Sequence, residues 1–176
     1  MLSGNVLSTK ETGKNLLKEL YQQNHTDYPK FYKMDGMCRL GFIASEVLLS
    51  SIEEQRFVPR EDRAVVMITK HGCMATDTHY EETIKPGETY FPSPAVFVYT
   101  LPNIVTGEIA IRNNYMGETM MYMMGEENAV RISRLVQDSF TDTITTSALV
   151  GWVNYEDDNH FEAHIKLILK GYGRID

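Results

Sequence analysis

The sequence predicts an α/β fold, a mixed β-sheet flanked by helices, and three observations carry that expectation. Ala64 to Thr69, AVVMIT, is apolar along its length, as a strand buried on both faces at the centre of a sheet would be. Apolar residues at helical spacing recur before and after it, first over Asp35–Ser51 and again between Leu101 and Phe140. Near the C-terminus, Phe161, Ala163, Ile165, Leu167 and Leu169 alternate with Glu162, His164, Lys166 and Lys170. That is the pattern of a half-exposed strand, and with the strand-like stretch before it it forms an antiparallel hairpin.

A chain of 176 residues has the length of one domain, here 1–176, and can bury a real core. Its 43% apolar and 23% charged content is that of a globular protein. A net charge of -7 argues against a nucleic-acid backbone as the main partner. It also gives no general attraction for an acidic protein. Two cysteines, Cys38 and Cys73, do not make a disulfide framework. The opening MLSGNVLSTKETGKNL lacks the apolar core of a secretory leader, and no run approaches the roughly 18 apolar residues of a membrane span. A cytoplasmic location is the expectation by default.

Taken in order, Lys10–Gln23 is a helix with Leu16, Leu17, Leu20 and Tyr21 on one face and Thr9 or Thr12 as the cap. His25–Pro29 is a turn. Asp35–Ser51 is the next helix, with Leu40, Ile43, Ala44, Val47 and Leu48 on its apolar face and Asp35 at the positive end of its dipole. Gln55–Asp62 is a charged loop, followed by the central strand. Lys70–Lys85 reads as the loop after that strand, entering a helix at Asp77, and Gly87–Tyr90 is a polar connection.

Phe91–Asn128 organises the rest. Pro92-Ser93-Pro94 is a stiff turn. Pro102-Asn103 opens a helix carrying Ile104, Val105, Ile109 and Ile111, in which Gly107 permits close backbone approach, and Asn113-Asn114 ends it. Thr119–Met124 reads as a short strand buried on both faces, broken by Gly125-Glu126-Glu127-Asn128, and AVRISRLVQDSF is a second helix. Thr141–Tyr155, centred on Ala148–Val153, has the composition of a strand, and Glu156–Asn159 is the turn into the last one.

Ser93-Pro94, the helix after Pro102-Asn103 and the strand led by Gly117 occur in this order. In this the chain resembles the N-terminal half of the β-ketoacyl-acyl-carrier-protein synthases, of the thiolase-like fold. The resemblance covers most of the chain and is weakest at residues 1–30, expected to be a helical appendage. In that family a sharp elbow after the strand carries a nucleophilic cysteine at a helix N-terminus. Counted from Gly117, that place falls near Glu126, and no cysteine follows Cys73. A carboxylate does not form the thioester intermediate that a thiolate forms. The family's two histidines and lysine belong to a C-terminal half with no counterpart in these residues.

The resemblance therefore implies a degenerate half-ketosynthase with no catalytic residue, cofactor or metal of its own. The expected role is a non-catalytic accessory subunit in fatty-acid, polyketide or aryl-polyene-type biosynthesis. It would work as a homodimer or beside a ketosynthase-like chain, as chain length factors do. Two alternatives stand beside it. One is a binding module for an acyl chain or acyl carrier protein. The other is an enzyme using Glu126 at a helix N-terminus on a thioester.

Each remaining constellation has two readings. Glu126 and Glu127 either replace the cysteine or simply place charge at a helix start, helped by Asn128. His71, Cys73, Asp77 and His79 are ligand types for zinc or a thiolate with its base, but their spacing matches no compact zinc motif, and a loop with a helix cap is the plain reading. His160, Glu162 and His164 share one strand face, as three metal ligands or as a solvated face. Met120, Met121, Tyr122, Met123 and Met124 are either adaptable core filling or an interface, since in ketosynthase dimers the matching strand pairs with its twin.

Overall fold

The computed structural model describes residues 10–85 and 91–171, so Thr9 and the Gly87–Tyr90 connection lie outside the described residues. Strands β1 (Arg63–Thr69), β2 (Thr119–Met123), β3 (Ser147–Asp157) and β4 (His160–Leu169) form one sheet in the order β2-β1-β3-β4. β1 pairs in parallel with both β2 and β3, and β3 pairs antiparallel with β4. The sheet is mixed, as the hairpin and the apolar central strand require. Every residue of β1 is buried.

Helices cover both faces. Side chains of β1 and β3 alternate across the sheet. Val65, Met67, Leu149 and Val153 pack with α2 (Gly36–Ser50) and α5 (Ile104–Asn113). Ala64, Val66, Ile68, Val150 and Trp152 pack with Ile132, Val136 and Phe140 at α6 (Ala129–Ser139). α1 (Lys14–Gln23) lies on α2 and buries Leu17 and Tyr21, four residues apart on one face. Tyr21 stacks on Phe31 at 4.3 Å from a 3-10 turn over Pro29–Lys33.

Local chemistry sets the helix ends. Asp35 caps α2, its carboxylate accepting from the Cys38 N–H. Asn128 does the same for α6 through the Arg131 N–H. Asn114 closes α5 in the left-handed conformation, which its short polar side chain tolerates. A ring of ionic contacts ties α2 to α5. Glu46 is 2% exposed and takes Arg56 and Arg112. Both guanidiniums lie 4.6 Å from the Phe57 ring.

Several boundaries differ from the sequence reading. α1 starts at Lys14, not Lys10, with Gly13 rather than Thr12 at its cap position. Pro92-Ser93-Pro94 is more than a turn, because Ser93 caps the short helix α4 (Pro94–Val98). The helix expected from Asp77 begins earlier, as α3 (Met74–Ile84) behind Cys73. None of its residues is buried, so no apolar stripe marked its start. β3 begins at Ser147 and runs to Asp157, leaving 141–146 as loop and shortening the turn.

Gly107 has no neighbour where a Cβ would stand. The close approach of α2 and α5 is made instead at Gly41, where a Cβ would meet Val105 at 2.5 Å. On β4 the buried terminal residue is Ile168, under α6, while Leu169 is 49% exposed. β2 is not buried on both faces. It is the sheet's edge, half-exposed along its length, with Met123 64% exposed.

Candidate functional site

In an open α/β sheet, ligands bind beyond the carboxyl ends of the strands, where the chain leaves neighbouring strands toward opposite faces. Here that place lies between β1 and β2. The chain leaves β1 through 70–73 toward the α5 side, and leaves β2 through 124–128 toward α6. Gly72 sits in the crevice with φ +58, and the Met123 Cε atom is 3.4 Å from where its Cβ would be. The Met123 side chain therefore lies over the crevice, against Gly72.

The turn after β2, residues 124–128, carries no cysteine, serine or threonine. Glu126 is exposed on the loop. Glu127 is also exposed, and its Oε2 lies 2.8 Å from His164 Nδ1. The Asn128 side chain takes one N–H of the first turn of α6, that of Arg131. The hollow beside it, between Glu127, Ile132, Trp152 and His164, is about 50 Å³. That is room for one or two water molecules.

Both thiols are elsewhere and closed off. Cys38 is buried in α2, and burial, then the Asp35 charge, holds its pKa well above the ordinary thiol value. Burial does the same for Cys73. A thiol so placed is neither thiolate nor reachable. The residues around Cys73 do not converge. His71 Nε2 lies 3.1 Å from Glu156 Oε1, while His79 stands exposed beside Glu82 at 3.6 Å and Asp77 is exposed.

His160, Glu162 and His164 share the outer face of β4 as the alternation predicts, each with its own partner. His160 holds Asp157 at 2.9 Å, Glu162 accepts from Trp152 Nε1 at 2.8 Å, and His164 faces Glu127. Among the described residues no three His, Cys, Asp or Glu side chains are grouped as a metal would need. No described helix is long and apolar enough to cross a membrane.

Two larger spaces went unread in the sequence. An apolar groove of about 470 Å³ runs between α1, α2 and β4, lined by Leu16, Leu20, Val47, Leu48, Phe161 and Ile165. Its signal was present, because the apolar faces of two helices and a strand were each legible without their relative placement. A cleft of about 720 Å³ opens beyond β3, lined by Asp35, Thr76, Tyr99 and Tyr155. There Asp35 accepts from Thr76 at 2.7 Å and burial raises its pKa. Burial pushes Tyr99 up to about 12.

Of the five interface candidates, Met120, Met121, Tyr122 and Met123 lie on β2, and Met124 follows it, its N–H donating to Thr69 O at 2.9 Å. The Val65 N–H donates to Glu118 O. In a parallel ladder alternate residues bond to the same neighbour, so Met120 and Tyr122 also face β1. The N–H and C=O groups of Thr119, Met121 and Met123 point away from the sheet.

No protein-family profile matches the sequence, and no curated protein does. Solved structures do match in shape. The ishigamide ketosynthase/chain length factor superposes with a TM-score of 0.68 at 16% identity, over 79% of this chain and 44% of that one. The ketosynthase ApeO in complex with its chain length factor ApeC from Xenorhabdus doucetiae gives 0.63 at 16% identity, over 84% and 63%. The fold is thus that of a thiolase-like ketosynthase or chain-length-factor half. The chain spans about half the length of these structures.

Proposed function

We propose that this chain is a non-catalytic, ketosynthase-like accessory subunit of fatty-acid, polyketide or aryl-polyene-type biosynthesis, working in the cytoplasm by association, as a chain length factor does. Residues 1–176 act as one ketosynthase N-terminal-like domain. The observation that carries the reading is the elbow after β2. Where the family has its cysteine, this chain has an exposed Glu126, and both of its thiols are buried far up their titration range. The outer edge of β2 supports association, because among the described residues no strand pairs with it and methionines flank its backbone groups.

The ishigamide ketosynthase/chain length factor and ApeO in complex with its chain length factor ApeC share this fold, which favours a ketosynthase-like chain, or a second copy, as the partner. The test is mass spectrometry of the intact protein after incubation with acyl-acyl-carrier proteins. The expected result is no added acyl mass. A covalent adduct on Cys38, Cys73 or a hydroxyl would overturn the reading.

A second reading, as a binding module for an acyl chain or its carrier, is favoured by the apolar groove between α1 and β4. A spin-labelled fatty acid broadening the methyl signals of Leu20, Val47 and Ile165 would support it. Unchanged signals would dismiss it. Glu126 as a catalytic acid or base has no enclosed space around it to exclude water.

A further inference from the structure

The cleft beyond β3 holds two opposite charges without ionic partners and one hydroxyl without a hydrogen bond. The Asp35 carboxylate takes the Cys38 N–H and the Thr76 hydroxyl, but among the described residues it makes no ion pair. Arg39 acts on it from α2, yet its guanidinium donates to the carbonyls of Phe31 and Tyr32. Lys33 is exposed on the same cleft and has no ionic partner among the described residues either. Met34 between them is extended, so the two side chains leave the backbone toward one side. Tyr99 is 9% exposed. Among the described residues its hydroxyl has no hydrogen-bond partner, and it is not sealed inside the protein, so it opens into the cleft that Tyr99 lines. Burial first, with Asp35 among the negative charges that follow, raises the Tyr99 pKa to about 12, so the hydroxyl stays protonated and within reach of the Asp35 charge. A hydroxyl so placed takes its partner from outside the chain. The other charges of the cleft are matched, Lys14 with Asp158 at 3.3 Å and His79 with Glu82 at 3.6 Å.

We propose that this cleft binds a small zwitterion, an α-amino acid with an apolar side chain. Its ammonium stands between Asp35 and the Tyr99 oxygen, its carboxylate meets Lys33, and its side chain lies against Ala75, Ala95 and Val96. An ammonium supplies the cation that the desolvated carboxylate lacks, and its three N–H groups serve the remaining lone pairs of Asp35 and Tyr99. Neither sign alone satisfies the cleft, because an amine leaves Lys33 unpaired and a simple carboxylate leaves Asp35 so. At about 720 Å³ the space is in the range of small-molecule sites. Met34, Tyr99 and Tyr155 place it on the α2 side of the sheet, so such binding does not require association of the chain with any partner.

The test measures binding of leucine, isopentylamine and 4-methylpentanoate to the full chain by calorimetry, with the methyl signals of Ala75, Ala95 and Val96 locating the bound probe. Leucine is expected to bind most tightly, and each probe lacking one charge about 10-fold or more weakly. Asp35→Asn raises the dissociation constants of leucine and isopentylamine by about 10-fold or more. Lys33→Ala raises that of leucine and leaves that of isopentylamine unchanged. Tyr99→Phe, which keeps the ring, weakens both ammonium probes. Asparagine still caps α2, and in the free protein neither Lys33 nor the Tyr99 hydroxyl holds a partner among the described residues, so thermal unfolding without probe is expected to show all three variants folded. Failure of leucine to bind, an amine or carboxylate that binds as tightly as leucine, or an Asp35→Asn protein that binds leucine unchanged would overturn the inference.

Discussion

Replacing Arg63 by methionine tests how the amino end of the sheet is held. Arg63 is 1% exposed. Its Nη1 and Nη2 donate to the two carboxylate oxygens of Glu54 at 2.6 and 2.8 Å. Its Nε donates to Ser147 Oγ at 3.0 Å, and Nη1 also donates to the Tyr115 hydroxyl at 3.0 Å. One side chain thus joins β1 to β3, to the chain entering β2 and to the 51–62 loop. Methionine fills much of the aliphatic stem, so the loss is polar.

The two neutral contacts are worth about 1 kcal/mol each. Removing one member of a buried ion pair costs about 3–5 kcal/mol. Glu54, however, is 25% exposed and keeps Arg60 at 3.0 Å, which reduces that contribution to about 1–2 kcal/mol. The total is about 3–4 kcal/mol, or a fall in Tm of about 6–16 °C for a chain of this size. Urea and thermal unfolding read it directly. A loss below about 1 kcal/mol would refute the reasoning, and so would an Arg63→Met/Glu54→Gln double variant whose loss equals the sum of the single ones.

Two further outcomes are expected. Both cysteines should resist a thiol reagent at pH 8 in the folded protein and react only on unfolding. Rapid labelling of either in the native state would show that burial does not hold it. Stability should fall with acid below about pH 4.5. The Arg63 hydrogen bond pulls Glu54 below its ordinary 4.5, and the Arg60 bond pulls Asp62 below its ordinary 3.8. A carboxylate with a depressed folded pKa contributes fully above its unfolded value and loses that contribution as pH falls through the folded one. Urea midpoints between pH 6 and pH 3 check the sign, and a midpoint that rises with acid would contradict it.

Much of the fold was legible because its period survives in the residues. β1 is apolar at consecutive positions, β4 alternates, and Asp35, Asn114 and Asn128 mark helix ends by their own chemistry. β2 was misread for a physical reason. Met120 to Met124 is a continuous apolar run, and such a run describes a strand with two buried faces and an edge strand equally well. Only the order β2-β1-β3-β4 separates the two. α3 lacked a buried face to announce it. The contacts of Glu46 with Arg56 and Arg112 join residues up to 66 apart, a distance over which spacing carries no signal. That residues 124–128 hold no cysteine is read from the sequence directly. That Asn128 caps the helix and Glu127 turns to His164 required the structure.

Hydrogen exchange at β2 tests the central claim most directly. The amides of Met120 and Tyr122 face β1, whereas those of Thr119, Met121 and Met123 face outward. At dilutions where the protein is monomeric the outward amides should exchange like an open edge, with the inward pair protected. In a sample shown to be associated, all five should be protected. Outward amides that stay fast in an associated sample would mean that the copies or partners join elsewhere, and the account of β2 as the joining edge would be wrong.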